Sequence, residues 1–225
     1  MSELQSRLNT LVLRLDHMGM RVEQALADAL RALRRNDEKA GQAVDENDPV
    51  IDREEVEIEQ ECIRLLALYQ PAAVDLRTLC TIIKINSDLE RIADLAAGMG
   101  RRVRHLVEEK ISLADYEEFN HLAQATVDIL GRTIRMLGRT DVETARKVIQ
   151  ADDLIDKGYR HLVQAVLKHE DRRIGGVVAA MTVINLAKAL ERIGDHCTNI
   201  AEDIIFLRTG DIVRHAGAFG QGDGK

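Results

Sequence analysis

The chain has 225 residues, of which 45% are hydrophobic and 31% charged, and its formal net charge is −7. The acidic balance disfavours a broad nucleic-acid interface, and no apolar run reaches the roughly 18 residues needed to span a bilayer. The N-terminus lacks a signal-peptide pattern, and the three cysteines are widely spaced, which indicates a reducing compartment. We therefore expect a cytoplasmic protein with no nucleic-acid partner and no transmembrane segment.

Helical periodicity dominates the chain, and no segment shows sustained strand-like alternation. A break or kink is expected at Pro49, because proline cannot donate the helical hydrogen bond. The Gly-rich tail, residues 211–225, is expected to be flexible. The first two predicted helices cover about residues 3–35 and 37–69, and Pro71 opens the third at its first turn. The fourth and fifth cover about residues 113–137 and 141–168, and the sixth follows "EDRRIGG".

Two stretches of the sequence repeat. "LERIADLAAGM" begins at Leu89 and "LERIGDHCTNI" at Leu190, an offset of 101 residues, and "NDPVID" matches "ADDLID" at an offset of 104. Apolar residues around both L-E-R-I stretches recur at alternating steps of three and four, which is typical of coiled-coil-like packing. The sequence predicts an all-α fold of two repeated three-helix bundles, residues 1–110 and 111–210.

Each predicted repeat carries two pairs of acidic residues spaced four apart, which places both carboxylates of a pair on one face of a helix. Relative to the apolar seam, the pairs within the two L-E-R-I stretches point toward the outer side of the bundle. This orientation disfavours a carboxylate site inside the bundle core. The eight residues are Asp48 with Asp52 and Glu90 with Asp94 in the first repeat, and Asp152 with Asp156 and Glu191 with Asp195 in the second.

A solvated acidic face is the ordinary explanation for any single acidic pair. Duplication of the pairs favours a shared metal or partner site, because packing is a poor reason to keep surface acids in both copies. Oxygen-only ligands would indicate a hard cation such as Mg²⁺, Ca²⁺, Mn²⁺ or iron, with Zn²⁺ less favoured. Four carboxylates would suit two or more bridged ions. No P-loop, dinucleotide loop or Ser-His-Asp pattern accompanies them, so an enzyme is not expected.

The stretches "QPAAVDLR", "DLERIADLAAGM" and "LERIGDHCTNIAEDIIFLRTG" resemble the signature stretches of the PhoU family of phosphate-specific transport system accessory proteins. This resemblance covers nearly the whole chain. It implies two similar three-helix bundles whose E/D-x-x-x-D motifs bind multinuclear metal clusters. Iron is the first expectation, with zinc, manganese or magnesium as alternatives. The implied ligands are Glu90, Asp94, Glu191 and Asp195, followed by Asp52, Asp152, Asp156 and Asp48.

The resemblance also implies a negative regulator of the phosphate regulon, which links a phosphate-import ABC transporter, through its ATPase, to a sensor histidine kinase. We further expect a homodimer. Two alternatives stay open at this point: a metal-dependent phosphohydrolase that uses the same carboxylates, and a metal-free helical scaffold.

The two repeats differ at several positions near the acids. His196 and Cys197 stand where the first repeat has Leu95 and Ala96, and Asn199 replaces Gly98. These departures allow the two metal clusters to differ in ligand number or metal. Pro49 follows Asp48 directly, which would place Asp48 as a helix N-cap and makes it the weakest of the eight expected ligands.

Overall fold

The computed structural model describes residues 2–114, 116–168 and 176–213. These residues contain six helices and no strand, which confirms the predicted all-α fold. No helix among them is both long and apolar enough to cross a membrane. The helices are α1 (Glu3–Arg35), α2 (Glu38–Tyr69), α3 (Ala73–Glu108), α4 (Glu117–Leu137), α5 (Val142–Leu167) and α6 (Val177–Thr209).

Local sequence signals set the helix ends. The Asp37 carboxylate accepts a hydrogen bond from the Ala40 backbone N–H at 3.0 Å and so caps α2. Helix α3 begins two residues after Pro71, and α4 begins at Glu117, later than predicted. Ile111 and Leu113, which precede α4, are buried in the connection from α3, so their apolar character reflects packing of a loop.

Helix α2 runs through Pro49 without interruption, so the predicted break does not occur, and the alternative of a kink stays a prediction. The proline leaves the carbonyl of Asp45 without its helical N–H partner. Val44 and Ile51, on either side of the proline, are buried in the core. Burial of this apolar face compensates for the lost hydrogen bond, because most helical stability in proteins comes from tertiary packing.

Helices α1, α2 and α3 pack on one another, and α4, α5 and α6 do the same. Contacts between α3 and α6 and between α1 and α4 join the two bundles, and the buried apolar residues form one continuous core. The boundary near residue 110 stays a prediction, because the core runs across it. The predicted flexible tail lies outside the described residues from position 214 onward.

Burial extends the internal repeat to all three helix pairs. Buried positions of α1 and α2 recur in α4 and α5 at an offset of 104, as with Met18 and Leu122, and Val44 and Val148. Buried positions of α3 recur in α6 at an offset of 101, as with Leu89 and Leu190. Equivalent residues of the two bundles can therefore be compared one by one.

A polar network joins the bundles across the α3–α6 contact. Lys84 Nζ of α3 lies 2.8 Å from Oδ1 of Asp203, whose side chain is only 2% exposed. Asp88 Oδ1 lies 2.7 Å from His196 Nδ1 and accepts a hydrogen bond from the Asn199 amide at 3.3 Å. Because residue numbers rise along α3 as they fall along α6, the two helices are antiparallel.

The symmetry-related half of the α3–α6 contact lacks this network. The equivalents of Lys84 and Asp203 are Asn185 and Arg102, and the equivalent of Asp88 is Ala189. His196 and Asn199 correspond to Leu95 and Gly98. Two of the departures, His196 and Asn199, thus belong to the contact between bundles, because both side chains contact Asp88. Cys197, beside His196, is fully buried in the core.

The backbones of helices α2 and α3 are in close contact where Gly41 faces Gly100. A Cβ atom at either glycine would lie 2.6 Å from the backbone oxygen of the other. The equivalent positions in α5 and α6 are Ala145 and Ala201. The close backbone contact is therefore specific to the first bundle.

We predict that Gly41→Ala and Gly100→Ala each lower the free energy of unfolding by roughly 1–3 kcal/mol, because the added methyl group forces two backbones apart. Urea unfolding monitored by circular dichroism would measure the change. Gly98→Ala is the control, since its new Cβ would meet only Arg side-chain nitrogens, at 3.5 Å and beyond. Equal losses in all three variants would contradict the close-contact explanation.

Candidate functional site: two clusters of four carboxylates

The eight predicted carboxylates form two groups, one on each bundle. The first acid cluster lies between α2 and α3, and the second acid cluster lies between α5 and α6. In both clusters, charges from one helix act on carboxylates of the other, as Asp94 does on Asp48 and Asp195 on Asp152. The first acid cluster is Asp48, Asp52, Glu90 and Asp94, and the second acid cluster is Asp152, Asp156, Glu191 and Asp195.

Asp48 stands in the middle of α2 and does not cap a helix. The N-cap of α2 is Asp37, eleven residues earlier, because the helix continues through Pro49. The expectation that Asp48 serves as an N-cap is therefore wrong, and so is the reason for ranking it last. Its half-buried carboxyl faces the same seam as the other three members of the first acid cluster.

In the second acid cluster, a glycine makes room for Asp152. A Cβ atom at Gly194 would lie 2.8 Å from Asp152 Oδ1, so the carboxyl of α5 rests directly on the α6 backbone. Asp152 Oδ1 and the neighbouring Thr198 Oγ1 are both buried without a well-formed hydrogen bond. A buried polar atom of this kind is costly unless another group satisfies it.

Burial and mutual repulsion raise the pKa of four of the eight carboxyls. Burial, followed by the charges of Asp52 and Asp94, raises the pKa of Asp48 to about 6. Burial, followed by the charges of Asp195 and Asp156, raises the pKa of Asp152 to about 6.

The pKa of one α3 carboxyl and one α6 carboxyl also rises. Burial, followed by the charge of Asp94, raises the pKa of Glu90. Burial, followed by the charge of Glu191, raises the pKa of Asp195. Each cluster therefore holds negative charges that the protein disfavours in its metal-free form.

Basic side chains neutralise each cluster only in part. Arg91 lies 3.3 Å from both Glu90 and Asp94, and Lys188 Nζ lies 2.6 Å from Glu191 Oε1. Both cations sit on the same helix as the acids they contact, and both are largely exposed. Exposed pairs of this kind contribute little to stability, so considerable repulsion is left within each cluster.

Glu55, which the sequence pattern did not predict, lies beside the first acid cluster. Burial, followed by the charges of Glu59 and Asp52, raises its pKa. The available signal was its position three residues after Asp52, on the same face of α2. The equivalent residue of the second repeat is Tyr159, so the search for duplicated acids passed over it.

The donor set of both clusters suits a hard metal ion, although the side chains are not yet gathered around one point. Within the described residues, no three Asp, Glu, His or Cys side chains converge closely enough to hold an ion. Several observations nevertheless favour a cation: oxygen-only donors, repulsion that local cations leave in place, and the buried Asp152 Oδ1, whose contact with the Thr198 hydroxyl is not a well-formed hydrogen bond. An ion would be held by side chains that rotate toward it from two rigid helices.

Comparisons with known proteins agree along the whole fold. A sequence model of the PhoU domain matches residues 15–103 and again residues 119–204. The PhoU homologue of Pseudomonas aeruginosa, named a phosphate-specific transport system accessory protein, is 38% identical over 202 residues, 89% of this chain and 83% of the relative. The PhoU protein of Escherichia coli, with the same description, is 33% identical over 213 residues, with 89% and 83% covered.

Two crystal structures show the same architecture. That of PhoU from Pseudomonas aeruginosa has a TM-score of 0.87 at 35% identity, and the match covers 93% of this chain and 100% of the other. That of the phosphate transport system regulatory protein PhoU from Streptococcus pneumoniae has a TM-score of 0.85 at 26% identity, with 94% and 99% covered.

Because the pKa of Asp152 is raised in the folded protein, we predict that ionisation of this carboxyl lowers the stability of the metal-free protein as pH rises. Its carboxyl titrates at 3.8 ordinarily and at about 6 in the folded protein, so the folded state holds a proton that the unfolded chain releases between these values. Its contribution to the free energy of unfolding therefore decreases from about pH 4 to pH 6 and then stays constant. Asp152→Asn should remove this decrease and raise stability at pH 7.5 by about 1 kcal/mol, a value reduced for solvent screening.

Urea unfolding of wild type and Asp152→Asn in the presence of a chelator, from pH 4 to pH 8, would measure this difference. Asp153→Asn is the matched control, because Asp153 is the next residue of α5 and is exposed. A stability difference between wild type and Asp152→Asn that does not change with pH would contradict the assignment.

Proposed function

Because the chain belongs to the PhoU family, we propose that it is a regulatory accessory protein of a phosphate-specific transport system and that it has no enzymatic activity of its own. The family match is found twice and covers both bundles. The relatives named as accessory proteins match over most of their own length. This agreement over both repeats supports carrying the role of the relatives over to this chain.

We propose a negative regulator that acts by protein–protein contacts in the cytoplasm. When phosphate is plentiful, it would connect the ATPase of a phosphate-import ABC transporter to the sensor histidine kinase of the phosphate regulon and so hold signalling off. A homodimer is part of this proposal. Long, rigid helices with exposed faces on both bundles suit a protein that contacts more than one partner.

The observation that carries the metal part of the proposal is the pair of incompletely neutralised acid clusters. Two equivalent seams each gather four carboxylates whose negative charges repel one another, as the raised pKa values of Asp48 and Asp152 show. This repulsion costs stability unless a cation binds. We propose that each cluster binds a multinuclear metal site, with iron first and manganese, zinc or magnesium as alternatives. Asp48, Asp52, Glu90 and Asp94 would hold one site, and Asp152, Asp156, Glu191 and Asp195 the other.

Metal content per chain, measured by mass spectrometry after purification without chelators or affinity metals, tests this part directly. Wild type should retain several equivalents of a hard metal. Glu90→Gln with Asp94→Asn should remove the metal of the first acid cluster alone, and Glu191→Gln with Asp195→Asn that of the second. A single change such as Glu191→Gln should weaken metal binding at least roughly tenfold. Loss of a group that only supports a metal ligand already has an effect of this size.

Glu57→Gln with Glu61→Gln is the matched control for these double variants. It removes a pair of acids with the same spacing on α2, but Arg14 and Arg7 of α1 already pair with them. Metal content should be unchanged in this variant. Less than about one ion per wild-type chain would refute the metal sites and favour a metal-free scaffold.

Regulation can be tested in Escherichia coli that lacks its own PhoU and carries a phosphate-starvation reporter. In phosphate-rich medium, this chain should restore repression of the reporter. The double variants of both acid clusters should lose repression if metal holds the partner-binding surface in place. The purified wild-type protein with Mn²⁺ should not hydrolyse p-nitrophenyl phosphate. Hydrolysis that the double variants abolish would favour the phosphohydrolase instead.

A further inference from the structure

The seam between α1 and α2 in the first bundle opens into a cavity of about 400 Å³. Its floor is apolar and formed in part by Ala25, Val44, Ile51 and Ala93. A volume of this size, with an apolar lining and a few polar groups at the edge, is typical of sites for small molecules.

The cavity begins where a row of ion pairs ends. Arg7, Arg14 and Arg21 recur every seven residues along α1 and face Glu61, Glu57 and Glu54 of α2, respectively. The Arg14 pair is tight at 2.7 Å, whereas the Arg21 pair is loose at 3.6 Å. The row closes one half of the seam, and Arg21 stands at the rim of the open half.

Comparison with the second bundle shows that small side chains create this cavity. Four alanines of the first bundle line it, and three of them have larger equivalents at an offset of 104, whereas the fourth, Ala93, corresponds to Gly194 of α6. The pairs are Ala25 with Ile129, Ala40 with Thr144, and Ala43 with Lys147, of which Lys147 is exposed and pairs with Glu143 of its own helix. Ile129 is buried, so its side chain fills the position that Ala25 leaves open.

The cavity is open to solvent, so its apolar lining is exposed to water at a cost in stability that burial by a bound molecule would remove. The same fold accepts the larger residues in its other copy, so the helix geometry does not require alanine at these positions. A bound molecule that fills the space would explain why all three small residues occur together in the first bundle. Apolar cavities in proteins do bind apolar molecules when these are offered.

Charges at the edge of the cavity select the kind of molecule and its direction. Arg31 is already held by Asp28, whereas Arg21 has only its loose pair with Glu54. Asp48 lines the inner wall and also belongs to the first acid cluster, so it disfavours an anion at that end. An anionic group is therefore favoured at Arg21, at the rim.

We propose that this cavity binds a small amphipathic anion, with a single apolar chain or ring on the alanine-lined floor and a carboxylate or phosphate group at Arg21. Such a molecule could be free in solution or come from a lipid. Either source presents the same chemistry to the site. This inference does not depend on the proposed regulatory role or on metal binding.

Isothermal titration calorimetry on the full chain, in the presence of a chelator, tests the proposal with decanoate below its micelle concentration. Wild type should bind decanoate at a single site and should bind decyltrimethylammonium, which has the same tail and the opposite charge, at least about tenfold more weakly. Ala25→Ile should reduce decanoate affinity at least about tenfold, because it fills the floor with the side chain found in the second bundle.

Matched variants separate a specific site from a general change. Ala27→Ile adds the same side chain to an exposed position of α1 that does not line the cavity, so decanoate affinity should be unchanged. Arg21→Gln should weaken decanoate binding, and Arg14→Gln, in the closed half of the seam, should not. Ala40→Thr provides a second filling variant if Ala25→Ile fails to fold.

Three results would overturn the proposal: no decanoate binding to wild type, binding that survives Ala25→Ile and Ala40→Thr, or equal affinity for the anion and the cation. If the site is supported, two further probes distinguish a lipid from a free molecule as the source of the anion. One is a vesicle that contains the anionic phospholipid phosphatidylglycerol, and the other is decyl phosphate free in solution. Binding to either one alone would identify the source, again with loss in Ala25→Ile as the criterion.

Discussion

The antiparallel contact between α3 and α6 is the constraint on which the rest of the structure depends. Each of these helices carries half of its bundle's acid cluster. Helix α3 packs against α2 and α6, and α6 packs against α5 and α3. The contact buries Asp203, paired with Lys84, and gathers His196 and Asn199 around Asp88. Buried polar partners of this kind favour one register of two helices over others, since a shift would leave charges unpaired.

With that register set, the two acid clusters take equivalent positions on either side of the central contact. The packed helix pairs α2–α3 and α5–α6 each bring four carboxylates together at a cost, which shows in the raised pKa values of Asp48 and Asp152. A protein selected only for stability would replace such residues with neutral ones. Their presence in both copies is the physical basis for proposing metal at these seams.

The two bundles differ in how closely their helices pack around the acid clusters. In the first, Gly41 and Gly100 allow close contact of two backbones, and four alanines line a cavity at the seam of α1 and α2. In the second, Gly194 admits the Asp152 carboxyl onto the α6 backbone. The acid clusters are shared, whereas the spaces around them differ, so the two copies offer related but unequal surfaces to metals, small molecules and partners.

The sequence by itself determined the six helices, the internal repeat and the identity of the eight acids, because helical periodicity and the offsets of 101 and 104 are readable in one dimension. It also identified the family, through motifs that extend over most of the chain. Only the tertiary structure decided what depends on neighbours distant in the chain. Core burial on both sides of Pro49 keeps α2 intact, His196 turns to Asp88 on another helix, and Glu55 joins the first acid cluster without a counterpart in the second repeat. The cavity, too, is invisible in the sequence, because an alanine marks an open space only when the side chains around it are known.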